Sequence, residues 1–161
     1  MSNFFPHWKS LSLLAALALS LGCSATKFVP TEYVEGLVTL DGVPIADATV
    51  TFQPLEPGQG CAGVGVSDSS GVYRLTTLSN IDGLKPKHGA GVLPGAYQVA
   101  VEKVELAPEV QAKIDAGESV AYSEAALKRI FPKRFADPEK SGLVVDVVPG
   151  NNDIPLVISS K

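Results

Sequence analysis

From Tyr33 onward the chain alternates apolar and polar residues with a period of two, and clusters of Gly, Pro and Asp cut that alternation into short runs. This period puts successive side chains on opposite faces of an extended backbone, so it predicts short, half-buried strands joined by tight turns. In the first run Val34, Gly36, Val38 and Leu40 share one face, with Glu35 and Thr39 on the other. Asp41-Gly42 follows, a pair suited to a two-residue hairpin turn. Residues 48–54 keep Ala48, Val50 and Phe52 in phase, and a Gly-rich loop leads into 63–68. Asp68-Ser-Ser-Gly71 turns the chain into 72–77, where Tyr73, Leu75 and Thr77 are in phase. Leu93-Pro-Gly95 precedes 96–104, with Tyr97, Val99 and Val101 alternating against Gln98 and Ala100. Two last strands, 143–148 and 153–158, flank Pro149-Gly-Asn-Asn152, and Pro155, which has no N–H for a ladder, marks the final strand as an edge.

The alternation fails over about 106–140. Residues 107–117 carry Val110, Ile114 and good helix formers with Gly117 as a stop, and 123–130 reads as a second short helix capped by Ser123. The expectation is therefore an all-β domain over 34–160: a seven-stranded antiparallel sandwich with a short helical insertion before the last two strands, a small barrel being the alternative. Its predicted core is Val38, Leu40, Val50, Phe52, Tyr73, Leu75, Tyr97, Val99, Val101, Leu143, Val145, Leu156 and Ile158.

The N-terminus reads differently. After a lead with one clear cation, Lys9, come twelve uncharged residues, 11–22. A spanning helix needs about 20 apolar residues, so this run is too short to cross a bilayer and fits a cleavable secretory signal. It ends in Leu19-Ser-Leu-Gly-Cys23. Small Gly22 directly before a cysteine resembles a lipobox, with Ser20 where Leu usually stands, and the resemblance implies removal of 1–22 and acylation of Cys23. Residues 23–33 are then a lipidated N-terminus and tether. Ser24 after the cysteine resembles the sorting signal for the outer membrane of diderm bacteria, facing the periplasm or the cell surface. Cleavage would leave 139 of the 161 residues with 12 basic and 17 acidic side chains, net −5. That is enough chain for one well-buried domain, and a balance that argues against nucleic acid as partner.

Four stretches carry a family resemblance. The segment from Gly36 to Phe52, with its Asp-Gly turn, resembles the opening hairpin of carboxypeptidase regulatory-like domains, which have the transthyretin-like (prealbumin) Greek-key fold. Ser67-Asp-Ser-Ser-Gly-Val-Tyr-Arg-Leu75 and Leu93-Pro-Gly-Ala-Tyr-Gln-Val99 are similar to that family's second and third signatures. Pro132-Lys-Arg-Phe135 with Ser141-Gly-Leu143 resembles the C-terminal part of a lipoprotein subfamily built on the domain. The resemblance implies a fold, and fold alone does not imply an activity.

Chemistry-bearing residues are sparse. After cleavage His88 is the one histidine, in Lys85-Pro-Lys-His-Gly89, too little for the histidine clusters of the hydroxyisourate hydrolases or dioxygenases of similar fold. Asp68-Ser-Ser-Gly71 lacks the further oxygens of a calcium loop and reads as an Asx turn. Cys61 has no intramolecular partner once Cys23 is acylated and reads as a small buried residue at a strand start, the alternative being a free thiol that pairs with another chain or acts as a nucleophile. Glu102 and Glu105 carry no mark of an acid–base pair and read as a solvated strand end. No enzymatic activity, cofactor or metal is expected. The remaining feature is Lys128, Arg129, Lys133 and Arg134 flanked by Phe131 and Phe135, a cationic stretch in an acidic chain. It is either a contact for an acidic polymer such as an envelope polysaccharide, a lipid headgroup or an envelope protein, with Phe135 taking part, or a basic helix end with aromatics closing the core. The expected function is a membrane-anchored binding or structural module held by acyl chains on Cys23. A carbohydrate-binding module is the alternative, and an uncharacterised enzyme the second.

Overall fold

The computed structural model describes residues 27–78, 84–120 and 123–161. In chain order the strands are β1 (Val34–Leu40), β2 (Val43–Pro44), β3 (Thr49–Pro54), β4 (Gly63–Val66), β5 (Val72–Arg74), β6 (Thr76–Thr77), β7 (Gly95–Glu102) and β8 (Val104–Leu106). Helix α1 (Pro108–Asp115) follows, then β9 (Leu127–Arg129), α2 (Pro138–Ser141), β10 (Val144–Val147), β11 (Asn152–Asp153) and β12 (Leu156–Ile158). The chain is all-β in class. One sheet centres on β1, flanked by β5 and β2 on one side and by β11 and β12 on the other; the second runs β10-β7-β3-β4-β6. The two share a core built from Val34, Val38, Val50, Phe52, Tyr73, Leu75, Tyr97, Val99, Val101, Leu156 and Ile158.

The turns do what their residues require. Asp41 (φ 50°) and Gly42 (φ 83°) are both left-handed, and Leu40 pairs with Val43 across them. Asp68 closes its own turn: one carboxylate oxygen accepts from the Ser70 N–H at 2.9 Å, the Ser70 hydroxyl at 2.6 Å and the Val72 N–H at 3.1 Å. Those bonds, Ser70 first, hold its carboxyl below the ordinary value. At the far end Asn152 is buried; its amide donates to the carbonyls of Val148 (2.9 Å), Gly150 (3.1 Å) and Tyr33 (3.2 Å), while its oxygen accepts from the Val148 N–H.

Phe52 sits between Tyr73 and Tyr97, with ring centroids 6.2 and 5.8 Å away. A buried phenol must find an acceptor. The Tyr73 hydroxyl donates to the carbonyl of Ile154, and that of Tyr97 to the carbonyl of Leu93, both at 2.7 Å. Burial drives the Tyr73 phenol well above its ordinary value. The Ile154 carbonyl reaches Tyr73 by passing over Gly36, where a Cβ would lie 2.0 Å from that oxygen. Only glycine fits there.

Several expectations are corrected. The last strand is an edge, but it runs parallel to β1, Val38 opposite Leu156 and Leu40 opposite Ile158. The Pro149–Asn152 turn delivers the chain to the end where β1 begins, so both strands run the same way. That strand is also split by Ile154 and Pro155 into β11 and β12. The stretch 72–77 is likewise two strands, because at Leu75 the chain passes from the β1 sheet to the edge of the other. No helix forms over 123–130: a single 3₁₀ turn, Glu124–Ala126, without a side-chain cap from Ser123, leads into β9, which pairs with β8. That pairing sets Lys128 opposite Glu105, a favourable cross-strand match. Leu40, Leu143 and Val145 are only partly buried against the core, while Val92, Val147, Phe131 and Phe135 are in it. Residues 27–33, expected to belong to the tether, lie along the domain: Val29 is buried, its N–H donates to Lys85, and Glu32 pairs with Val92.

Phe52→Ala is expected to lower unfolding free energy by about 3–5 kcal/mol and Gly36→Ala by about 1–3 kcal/mol, both read by denaturant titration. The Asp68 turn has an acid signature. Its folded carboxyl lies below the unfolded value of about 3.9, so its stabilisation is complete above that pH and is lost as pH falls through the folded value. Asp68→Asn should therefore flatten the acid limb of the stability profile measured between about pH 5 and 2.

Candidate functional site

The insertion is where the strand pattern stops and most of the cations of interest collect. After β7 the chain crosses into β8, and β9 returns antiparallel to it. Helix α1 starts with Pro108 in its first turn and ends before Gly117, left-handed at φ 77°. A second 3₁₀ turn, Lys133–Ala136, leads into α2, whose N-cap is Asp137. Asp137 accepts from the Glu139 N–H at 3.1 Å, with Pro138 at the first helical position.

This path divides the cationic segment. Arg129 forms an ion pair with Glu102, and Lys128 stands opposite Glu105, which is itself paired to Lys103 at 2.9 Å. Glu102 and Glu105 are thus the counter-charges of their own strand end. Lys133 and Arg134 are exposed on the 3₁₀ turn. Phe135, expected among the contact residues, is 5 % exposed and Phe131 4 %, both in the core cluster. A 3₁₀ turn spaces neighbours by about 120°, so Phe135 points inward while the two residues before it point out. Its ring still serves the surface indirectly: the Arg134 guanidinium lies over it, 4.6 Å from the centroid.

Lys133 and Arg134 meet a group outside the expected set. With Asp137 and Lys140 they line a groove of about 410 Å³. Lys140 is paired to Asp137, which holds the Asp137 carboxyl below its ordinary value and raises the Lys140 ammonium. Three cations against one carboxylate give the groove a formal +2 at neutral pH. A site of this kind attracts an anion by charge, and Arg134, fixed by Phe135, is set to present a planar fork to a carboxylate or phosphate. The signal for Lys140 was in the sequence: Asp137-Pro138 is a helix start, and it puts Lys140 three residues on, within reach of its cap.

Other candidates are placed as follows. Cys23 lies outside the described residues. Cys61 is a half-buried free thiol in the loop before β4. His88 is exposed and borders a second groove with Asp68, Arg74 and Thr76. There Asp68 is taken by its turn, the Thr76 hydroxyl accepts from the Gly89 N–H at 2.9 Å, and Arg74 is held by Tyr33 at 2.9 Å and Glu35 at 3.3 Å. Tyr73 and Tyr97 are buried, so neither offers a ring for sugar stacking. Among the described residues no group of three or more His, Cys, Asp or Glu is placed to hold a metal ion.

The division of the segment makes a prediction for stability. Phe135→Ala should cost about 3–5 kcal/mol, whereas reversing Lys133 and Arg134 to Glu should stay within about 0.5 kcal/mol per site, since both are surface residues; thermal unfolding of the two variants separates them. Comparison with known proteins finds no matching family, no matching curated protein and no matching solved structure.

Proposed function

We propose that the chain is an exported lipoprotein of a bacterial envelope, in which residues 1–22 are removed, Cys23 is acylated, and one domain serves as a non-enzymatic binding or structural module. The domain is then a seven-stranded Greek-key sandwich of the transthyretin-like kind, made of β1, β3, β4, β5, β7, β10 and β12. Two features support that fold: β5 and β12 flank β1 in one sheet, and β7 lies beside β3 in the other after the chain has crossed between sheets at Leu75.

The observation that carries the functional reading is the polarity of the domain. Residues 27–33, packed along the domain, lead into β1 at one end, where Val34, Asn152 and the Pro149–Asn152 turn meet. The cationic groove is at the opposite end: Arg134 donates to the main-chain oxygen of Lys161 at 3.4 Å, and the Ser160 N–H beside it donates to Asp41 in the β1–β2 turn. Seven residues of β1 separate the ends by roughly 20 Å. A protein tethered by Cys23 would hold its first end to the membrane and present Lys133, Arg134 and Lys140 away from it, toward an acidic envelope protein or polysaccharide. Ser24 after the anchor favours the outer membrane, with the groove open to the periplasm or the cell surface.

Intact-mass measurement of membrane-extracted protein is expected to show loss of residues 1–22 and added acyl mass, and Cys23→Ala to abolish both; a mature N-terminus elsewhere would overturn the anchor. Capture of acidic envelope polymers by the anchored protein should fall strongly on reversal of Lys133 and Arg134 to Glu, and fade with added salt as screening shortens to about 8 Å at 0.15 M and less beyond. Equal capture by both forms would remove the groove as the contact.

A further inference from the structure

The end of the domain from which residues 27–33 emerge has a chemistry of its own. Phe28 is bridged to Lys85 in a short parallel pairing; the Lys85 N–H donates to the Lys27 carbonyl and the Val29 N–H to the Lys85 carbonyl, both at 3.1 Å. Val29 is buried beneath this pairing, so its extended neighbour Phe28 is turned outward and stays 47 % exposed. Lys27, Lys85 and Lys87 are exposed around it. At the same end of the two sheets stand three more exposed apolar residues: Leu55 after β3, Leu78 after β6 and Val148 after β10. The opposite end carries the exposed Val43 and Val66, the turns with Asp41, Asp47 and Asp68, the acids Glu102 and Glu105 and the groove of Lys133, Arg134 and Lys140. Among the described residues an exposed phenylalanine stands only at the Phe28 end.

We infer that this end is a lipid-facing surface: Phe28 enters the boundary between headgroups and acyl chains, while Lys27, Lys85 and Lys87 neutralise anionic headgroups. The inference rests on the acylation of Cys23 proposed above, and the chain length makes it specific. Three residues lie between Cys23 and Lys27, four Cα-to-Cα steps, so the acylated cysteine can lie no more than about 14 Å from the first backbone group held by the domain. An anchor that short brings the Lys27–Lys85 end onto the membrane rather than leaving the domain on a long leash. Three lysines close together in a chain that is net acidic after cleavage match the negative leaflet surface in sign. An aromatic ring among cations is the composition that binds an interface.

The test uses a feature of the sequence: the single tryptophan, Trp8, leaves with the signal, so the processed protein has none. Phe28→Trp then creates one reporter in the proposed contact, and Val157→Trp, at a position 72 % exposed on β12 near the opposite end, supplies the control. Each full-length variant is expressed, processed and acylated in cells, its mass confirmed, and the protein reconstituted in vesicles containing phosphatidylglycerol or phosphatidylcholine alone. The Phe28→Trp reporter is expected to be blue-shifted, shielded from acrylamide and quenched by lipids brominated on their chains, most strongly with phosphatidylglycerol; the Val157→Trp reporter should stay open to acrylamide. Reversing Lys85 and Lys87 to Glu should lower the docked-to-free ratio by about fivefold or more per lysine, and added salt should act in the same direction. Acylated protein whose Phe28→Trp reporter is as open to acrylamide as the control would overturn the surface and leave the anchor standing. Shielding without quenching by brominated lipid would overturn it in favour of contact with another protein chain. Protein without acyl mass would overturn the anchor, and the surface with it.

Discussion

The packing of Phe52 between Tyr73 and Tyr97 sets the terms for the rest of the domain. The three rings fill the space between the two sheets, and two of them bring a hydroxyl into it. Each hydroxyl has to be satisfied without water, and each does so by fixing a backbone carbonyl at the periphery. The carbonyl held by Tyr73 belongs to Ile154, just before Pro155, so the core bond and the break between β11 and β12 are one feature. Because that carbonyl crosses over Gly36, the lack of a side chain at position 36 matters as much as the ring at 73. The Tyr97 bond does the same for the Leu93-Pro-Gly95 turn, holding it back against the strand it opens. A core made only of aliphatic residues would fill the volume and leave the β11–β12 break and the Leu93–Gly95 turn less defined.

Around this centre charge is distributed by position. The β8–β9 ladder absorbs Lys128 and Arg129 against Glu105 and Glu102, so half of the cationic segment is spent on holding the insertion together. The other half is turned outward by the 3₁₀ turn at Lys133, because Phe135 in the same turn is drawn into the core. Arg134 is stiffened by lying on that ring. The anchoring of a hydrophobic side chain thus creates the exposed cationic groove; the two are alternate faces of one turn. At the other end the burial of Val29 sends Phe28 outward by the same logic. Both exposed sites are by-products of residues that go in.

The amino-acid sequence by itself determined the strand class, the turns and most of the core. Period two, Asp-Gly, Asp68-Ser-Ser-Gly71 and Leu93-Pro-Gly95 are local signals, and the bonds that satisfy them lie within a few residues, so nothing distant can override them. The in-phase residues Val50, Phe52, Tyr73, Leu75, Tyr97, Val99 and Val101 are all buried for that reason. Tertiary structure alone decided which strands become neighbours: the parallel placement of β12 beside β1, the passage between sheets at Leu75, and β9 in place of a helix. Residues 123–130 have helical composition, and their conformation is set instead by a ladder to residues 104–106, some twenty positions earlier. The same holds for the candidate site. The sequence showed four cations and two phenylalanines in a row, but whether a side chain faces solvent or core depends on what packs above it. Phe135 met β7 and the core, Arg129 met Glu102, and Lys133 and Arg134 were left to meet Lys140. A linear pattern specifies which residues can pay the cost of burial; only the assembled sheets specify which of them are asked to.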